Sequence, residues 1–160
     1  DAVARWLSEH LPPDPARQAI VHGDFKLDNV MLDEQDPGRV TAVLDWEMSA
    51  LGDPLVDLGI FLTYWTPTAP PGDQAEAVPL TTGQGWLTRS GIIEHYARCS
   101  GRSVENIAFY EVFAMFKIAV VVQQLFHRYV QRLTRDSRFA RFDGRVAYLA
   151  RQAAALVAGP

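Results

Sequence analysis

Cysteine is almost missing from this chain: Cys99 stands alone among 160 residues. No intrachain disulfide can form, which excludes a cystine-stapled scaffold and fits a reducing, cytoplasmic setting. In "IIEHYARCS" that cysteine reads as a small buried helix residue rather than a reactive thiol. Basic clusters are missing as well. The 15 Lys and Arg are scattered among 19 acidic residues, for a net charge of −4, so there is no electrostatic footprint for nucleic acid. The four histidines, His10, His22, His95 and His127, share no zinc-like spacing. No basic segment followed by a long apolar run opens the chain, so no leader is expected there. The most apolar stretch, Val112 to Val122, is interrupted by Lys117 and preceded by Glu111. It is expected to fall short of a membrane span and to serve as a core helix. Internal repeats and low-complexity tracts are absent too. What is there is an ordinary globular balance, 48% apolar and 21% charged, long enough for one domain with its own core.

Residues Val3 to His10 form an expected helix with Val3, Trp6 and Leu7 on one face, ended by "LPPDP". Ala19 to Val21 and Val30 to Leu32 read as short strands; "DEQDPGR" is a turn and Val40 to Asp45 the return strand. Asp53 as N-cap and Pro54 in the first turn open a helix carrying Leu55, Leu58, Ile60, Phe61 and Leu62 to about Tyr64. Thr66 to Trp86, rich in Pro, Gly and Thr, reads as a long loop. Three helices are expected after it. The first covers Arg89 to Ser100. The second runs from near Glu105 to about Arg132, apolar all round at first, then with Leu125, Tyr129 and Leu133 as a buried stripe. The third spans Arg145 to Val157 with Val146, Leu149, Ala153 and Leu156 inward. The fold class is therefore α+β, mostly helical: short strands followed by a helical bundle.

Two polar islands break the apolar pattern at strand ends, "HGDFKLDN" (His22 to Asn29) and "LDWEMSALGDPLVDLG" (Leu44 to Gly59). Asp24 follows a strand and a glycine, at a bend that frees its carboxylate. Asn29 stands at the mouth of the next strand and Asp45 ends the one after. If those two strands pair as a hairpin, Asn29 and Asp45 lie at the same end of it. An amide oxygen and a carboxylate converging there suit Mg²⁺, which takes few protein oxygens and fills its other positions with phosphate and water. Asp24 is then free to orient, and take a proton from, an attacking hydroxyl, while Lys26 offers a point charge to a phosphoryl group. Such a loop makes a phosphoryl-transfer site, where positioning and charge stabilisation supply most of the rate.

Singly, each residue also has a plainer reading. Asp24 fits an Asx-turn, Asn29 a turn cap, Lys26 and Asp28 solvated charges, and His22 a hydrogen-bonded structural histidine. Glu47 fits an exposed carboxylate as well as an outer metal partner. A non-catalytic binding module and a metal-dependent hydrolase are the competing classes; the hydrolase would want more metal ligands, often His.

Taken together the residues resemble a known pattern. "HGDFKLDN" is similar to the H-x-D-x-x-x-x-N catalytic loop of kinases, and "LDWE" stands where the metal-binding D-F-G segment would follow. Glycine in place of the arginine of H-R-D, and "DWE…GDPLVDLG" in place of a long activation loop, resemble the aminoglycoside phosphotransferase and choline kinase branch. The resemblance implies the C-terminal lobe of the protein-kinase-like fold and a small-molecule kinase using ATP and Mg²⁺ on an alcohol. It makes Asp24 the base and Asn29 and Asp45 the metal ligands, with Asp57 a carboxylate propping the loop beside His22. Beyond Gly59, "FYEVFAMFKIAVVVQQLFHRY" and "TRDSRF" resemble a subgroup associated with acyl-CoA dehydrogenases, which points to a hydroxyacyl-CoA acceptor. The acceptor pocket is expected on the helical part, near Gln123, Gln124, His127 and Arg128, residues that also fit an exposed helix face and fit a packed polar seam better still. Nothing before His22 matches a nucleotide-covering lobe. The expectation is one domain over 1–160, with a catalytic segment at 19–59 and a helical acceptor part at 60–160. Its partners would be a separate N-terminal lobe, the acceptor, and a second copy through exposed apolar surface; neither nucleic acid nor membrane is expected.

Overall fold

The computed structural model describes residues 2–65 and 85–159. Thr66 to Gln84, most of the expected long loop, lies outside them. The chain begins with α1 (Ala2–Glu9), whose Leu7 is buried, and reaches β1 (Ala19–Val21) after the proline-rich link. Then come β2 (Val30–Leu32), β3 (Val40–Val43) and β4 (Ala50–Gly52), followed by α2 (Leu55–Tyr64), α3 (Arg89–Ser100), α4 (Ile107–Val130) and α5 (Phe142–Ala158). Single 3₁₀ turns at Leu27–Asn29 and Trp46–Met48 bracket the hairpin. The architecture is α+β and mostly helical.

The strands make two separate two-stranded antiparallel sheets. One is the hairpin β2–β3, with Val30 opposite Val43 and a bulge between Met31 and Leu32. The other pairs β1 with β4, Val21 opposite Ala50, and closes the whole polar segment into one loop system. Strand β4 was not expected, because three residues carry too little alternation to announce a strand.

The core lies between α2, α4 and α5, with α1 against α4 and α5. Its most buried members are Ile60, Leu62, Val112, Ala114 and Ala153. Asp53 accepts the Leu55 N–H at 2.8 Å, as a capping carboxylate should, and the Tyr110 hydroxyl donates to its second oxygen at 2.9 Å. The start of α2 is thereby tied to α4.

Four expectations about burial change. Helix α4 is not buried all round, since Phe116, Val120 and Val121 reach the surface. By length and composition it would pass for a membrane-crossing helix, contrary to the expectation that it falls short; here it is the central packing helix. Leu133 is 70% exposed because the helix ends at Val130 and Arg132 adopts a left-handed φ of 58°, turning the chain away. Leu156, in the last turn of α5, is also exposed. Cys99, finally, is exposed rather than buried. The α3 face it shares with Ile92, His95 and Tyr96 borders an open cavity of about 560 Å³ instead of a closed core.

Candidate active site

The site is built on the link between β1 and the first 3₁₀ turn. Gly23 has φ of +82°, a conformation L side chains rarely adopt, and a Cβ there would run into the Met48 carbonyl oxygen. Only glycine makes this bend. The bend is held by side chains from distant elements. The Asp57 carboxylate, in the first turn of α2, accepts the His22 N–H at 2.6 Å and the Gly23 N–H at 2.8 Å. The next N–H, that of Asp24, lies 3.2 Å from His22 Nδ1, and His22 Nε2 lies 2.7 Å from the Leu44 carbonyl. These contacts are satisfied together by the tautomer with its proton on Nε2, donating to Leu44 and accepting from Asp24. His22 is buried, so both nitrogens need those partners.

Asp24 then projects beside two neighbours. Lys26 Nζ donates to Asp24 Oδ2 at 2.7 Å, and Asn29 Nδ2 donates to the Asp24 carbonyl at 2.9 Å and more weakly to Oδ2 at 3.4 Å. Burial pulls the Lys26 ammonium down, but the hydrogen bond to Asp24, with charge from Tyr64, Asp24 and Asp28, holds it above the ordinary lysine range. Its ammonium also sits 5.5 Å from the Tyr64 ring centroid, and burial raises the Tyr64 phenol.

Asp45 enters through the hairpin. The Leu44 N–H donates to the Asn29 carbonyl at 2.8 Å, so Asn29 and Leu44 face each other and Asp45 is the next residue. It takes a left-handed backbone, φ 68° and ψ 54°, which aspartate tolerates better than most residues but still at a cost of roughly 1–3 kcal/mol. The structure thus brings Asp24, Lys26 and Asn29 into direct contact and sets Asp45 at the same hairpin end. Asp28 and Glu47 are exposed.

The donor set also fits a magnesium–phosphate group. With its Nδ2 engaged by Asp24, Asn29 has an Oδ1 that receives no protein donor among the described residues, and the Asp45 carboxylate makes no hydrogen bond among them either. Two hard oxygens suffice for an ion that keeps phosphate and water for the rest. Among the described residues there is no group of three or more His, Cys, Asp or Glu of the sort an all-protein metal cage needs.

A cavity of about 440 Å³ opens beside Asp24, between the Gly23–Asp28 loop, α4 and the start of α5. Ile118, Val121, Val122, Leu125 and Phe142 give it an apolar wall, and Lys117 and Arg145 reach it from the helices. The residues expected to form the acceptor pocket lie elsewhere on α4. Gln123, Gln124, His127 and Arg128 are all exposed, not a packed seam; Gln123 and Gln124 border a separate groove of about 350 Å³ between α1, α4 and α5. The helical period separates the two: 118, 121, 122 and 125 share the loop-facing side, and 123 and 124 turn away from it. Lys117, Tyr64 and Arg145 line this cavity without having been expected there. A lone lysine inside an apolar run was the available signal.

The phosphotransferase enzyme family model matches residues 1–92. Among curated proteins the chain is 34% identical over 132 residues to acyl-CoA dehydrogenase family member 11 of Mus musculus and 36% identical over 141 residues to that of Gallus gallus. The matches cover 81% and 80% of this chain but 17% of each relative's length. Among solved structures, a protein of Ralstonia eutropha assigned as an aminoglycoside phosphotransferase superposes with a TM-score of 0.83 at 31% identity, covering 99% of this chain and 48% of that one. A thermostable mutant of aminoglycoside phosphotransferase APH(4)-Ia, solved with AMP-PNP and hygromycin B, has a TM-score of 0.54 at 21% identity and shares the fold, with 98% of this chain matched to 42% of it. The chain belongs to the phosphotransferase enzyme family, as a C-terminal lobe of the aminoglycoside phosphotransferase and choline kinase kind related to a segment of acyl-CoA dehydrogenase family proteins.

Proposed function

We propose that this chain is the catalytic lobe of an ATP- and Mg²⁺-dependent phosphotransferase that moves the γ-phosphate to a hydroxyl of a small molecule. The observation that carries the reading is Asp24 itself, held by Lys26 and Asn29 on a bend pinned by Asp57 and His22, at the mouth of a cavity large enough for an acceptor. In this reading Asp24 takes the proton as the acceptor oxygen forms its bond to the γ-phosphorus and the bond to the bridging oxygen of ADP breaks. Lys26 stands within reach of the transferred group as a counter-charge. Asn29 and Asp45 would hold Mg²⁺, which supplies charge neutralisation on the phosphate oxygens.

The acceptor we favour is a hydroxyacyl-CoA-type alcohol. The apolar wall formed by Ile118, Val121, Val122, Leu125 and Phe142 suits an acyl body. The cavity's charges are mixed, Lys26, Lys117 and Arg145 against Asp24, Asp28 and Glu47, which disfavours a polycationic aminoglycoside. The curated relatives bear the acyl-CoA dehydrogenase name. Residues 1–160 are taken as one domain of a cytoplasmic enzyme whose nucleotide-covering lobe is a separate segment.

The test is made on the full-length protein, with ATP, Mg²⁺ and a panel of hydroxyacyl-CoAs, choline-like alcohols and aminoglycosides. Phosphorylation is expected of the first class. Asp24→Asn is expected to lower turnover by a factor of about 10²–10⁴ while ATP still binds. Undiminished turnover in Asp24→Asn would sink the assignment of the base.

A further inference from the structure

A lysine in the middle of an apolar helix needs a partner, because an ammonium is costly to bury. Lys117 stands half-buried on the loop-facing side of α4. Burial pulls its ammonium below the ordinary lysine range, with Asp24 and Asp57 acting in the opposite sense. Among the described residues no carboxylate pairs with it within salt-bridge distance. Its Nζ donates instead to the carbonyl oxygen of Gly23, 94 residues away in the chain.

That carbonyl belongs to the peptide unit between Gly23 and Asp24. The N–H of the same unit is the one facing His22 Nδ1 at 3.2 Å. Asp57 takes the N–H groups of His22 and Gly23, and His22 takes that of Asp24. Asn29 holds the carbonyl of Asp24, one peptide further on, while among the described residues it is Lys117 that holds the carbonyl oxygen of the Gly23–Asp24 peptide itself. A glycine at φ +82° rotates its following peptide easily, and that rotation swings the Cα–Cβ bond of Asp24.

We propose that Lys117 is a positioning residue for phosphoryl transfer: by fixing the Gly23–Asp24 peptide from the carbonyl side, it aims the Asp24 carboxylate at the acceptor hydroxyl. The proposal rests on Asp24 being the base. A misplacement of about 1 Å in a reacting group costs on the order of 10²-fold in rate, so a clamp on this one peptide has kinetic consequences out of proportion to its contribution to folding.

The experiment compares Lys117→Met, Lys117→Arg, Asp24→Asn and the Lys117→Met/Asp24→Asn double variant in the full-length protein, with Mg–ATP and a hydroxyacyl-CoA. Lys117→Met should lower kcat about 10- to 100-fold with the KM for ATP changed by less than about 3-fold and Tm nearly unmoved. Lys117→Arg should recover part of the loss. The double variant should be no slower than Asp24→Asn alone, since the clamp acts through that carboxylate. Hydrogen exchange, read without turnover, should be faster in Lys117→Met at the amides of residues 22–26. If Lys117→Met fails to fold, Lys117→Gln is judged by the same readouts. Wild-type kcat and unchanged exchange in a folded Lys117 variant, alongside an inactive Asp24→Asn, would overturn the clamp and leave the base standing. A fall in Tm with kcat per folded molecule unchanged would overturn it in favour of a packing role. Full turnover in Asp24→Asn would remove the base, and the clamp with it.

Discussion

Three consecutive backbone N–H groups, those of His22, Gly23 and Asp24, are each taken by a side chain rather than by a strand neighbour. Two of them end on one carboxylate, at distances typical of charge-assisted bonds. Removing that carboxylate leaves two donors facing a partly buried space. Asp57→Ala is therefore expected to cost about 1–3 kcal/mol of stability, read as a lower urea midpoint at unchanged slope. An unchanged midpoint would show that water replaces the carboxylate without loss. At this scale the sequence was informative about residue type and poor about partners. Asp24, Lys26 and Asn29 stand within a few positions of one another, so their contact follows from a single turn. Lys117 and Arg145 come from helices far along the chain: a lone lysine in an apolar run marks Lys117 as unusual, but no local pattern says that it meets Gly23.

Elements meet here through very close backbone approach. Gly59, on α2, faces the Tyr110 carbonyl of α4 so tightly that an added Cβ would lie 2.7 Å from the carbonyl carbon. A side chain at that position must push the two central helices apart. Gly59→Ala, a change that normally favours a helix, is instead expected to destabilise by about 1–3 kcal/mol through overpacking, measured as a drop in thermal midpoint. Stabilisation would mean the helices slide to make room. The far end of α2 is closed by Arg89, which donates to the Leu62 and Trp65 carbonyls and pairs with Glu111 of α4. A cation on the last carbonyls complements the helix dipole. Helix positions were legible from periodicity, and α3 runs over the expected Arg89–Ser100. Which face of α4 closes on the core was not, because a helix apolar on most sides gives no moment to read.

At the scale of the whole molecule, the chain spans about half the length of the Ralstonia eutropha structure it resembles and about a sixth of the curated relatives it matches. Both small sheets carry exposed apolar side chains: Ile20 and Leu51 on the β1–β4 pair, Met31, Leu32 and Val40 on the hairpin. Exposed apolar surface concentrated on open strand edges favours association. The 160-residue chain alone is expected to dimerise or associate in a concentration-dependent way, seen by light scattering, and to turn over no ATP with the hydroxyacyl-CoA panel. A strict monomer at high concentration, or kinase activity from the chain alone, would contradict the picture of a lobe that needs a partner.

The sequence by itself determined the local chemistry: the helix positions, the strands β1 to β3, the glycine bend, and the trio Asp24, Lys26 and Asn29. Those follow from steric rules and from spacing along a short loop. The tertiary structure decided what holds that loop and what lies opposite it: it realises the Asp57 brace that the family resemblance implied, and it adds the Lys117 contact and the apolar wall from α4 and α5. Such contacts join residues dozens of positions apart. They exist only because burying the apolar faces of α2, α4 and α5 fixes those helices against one another.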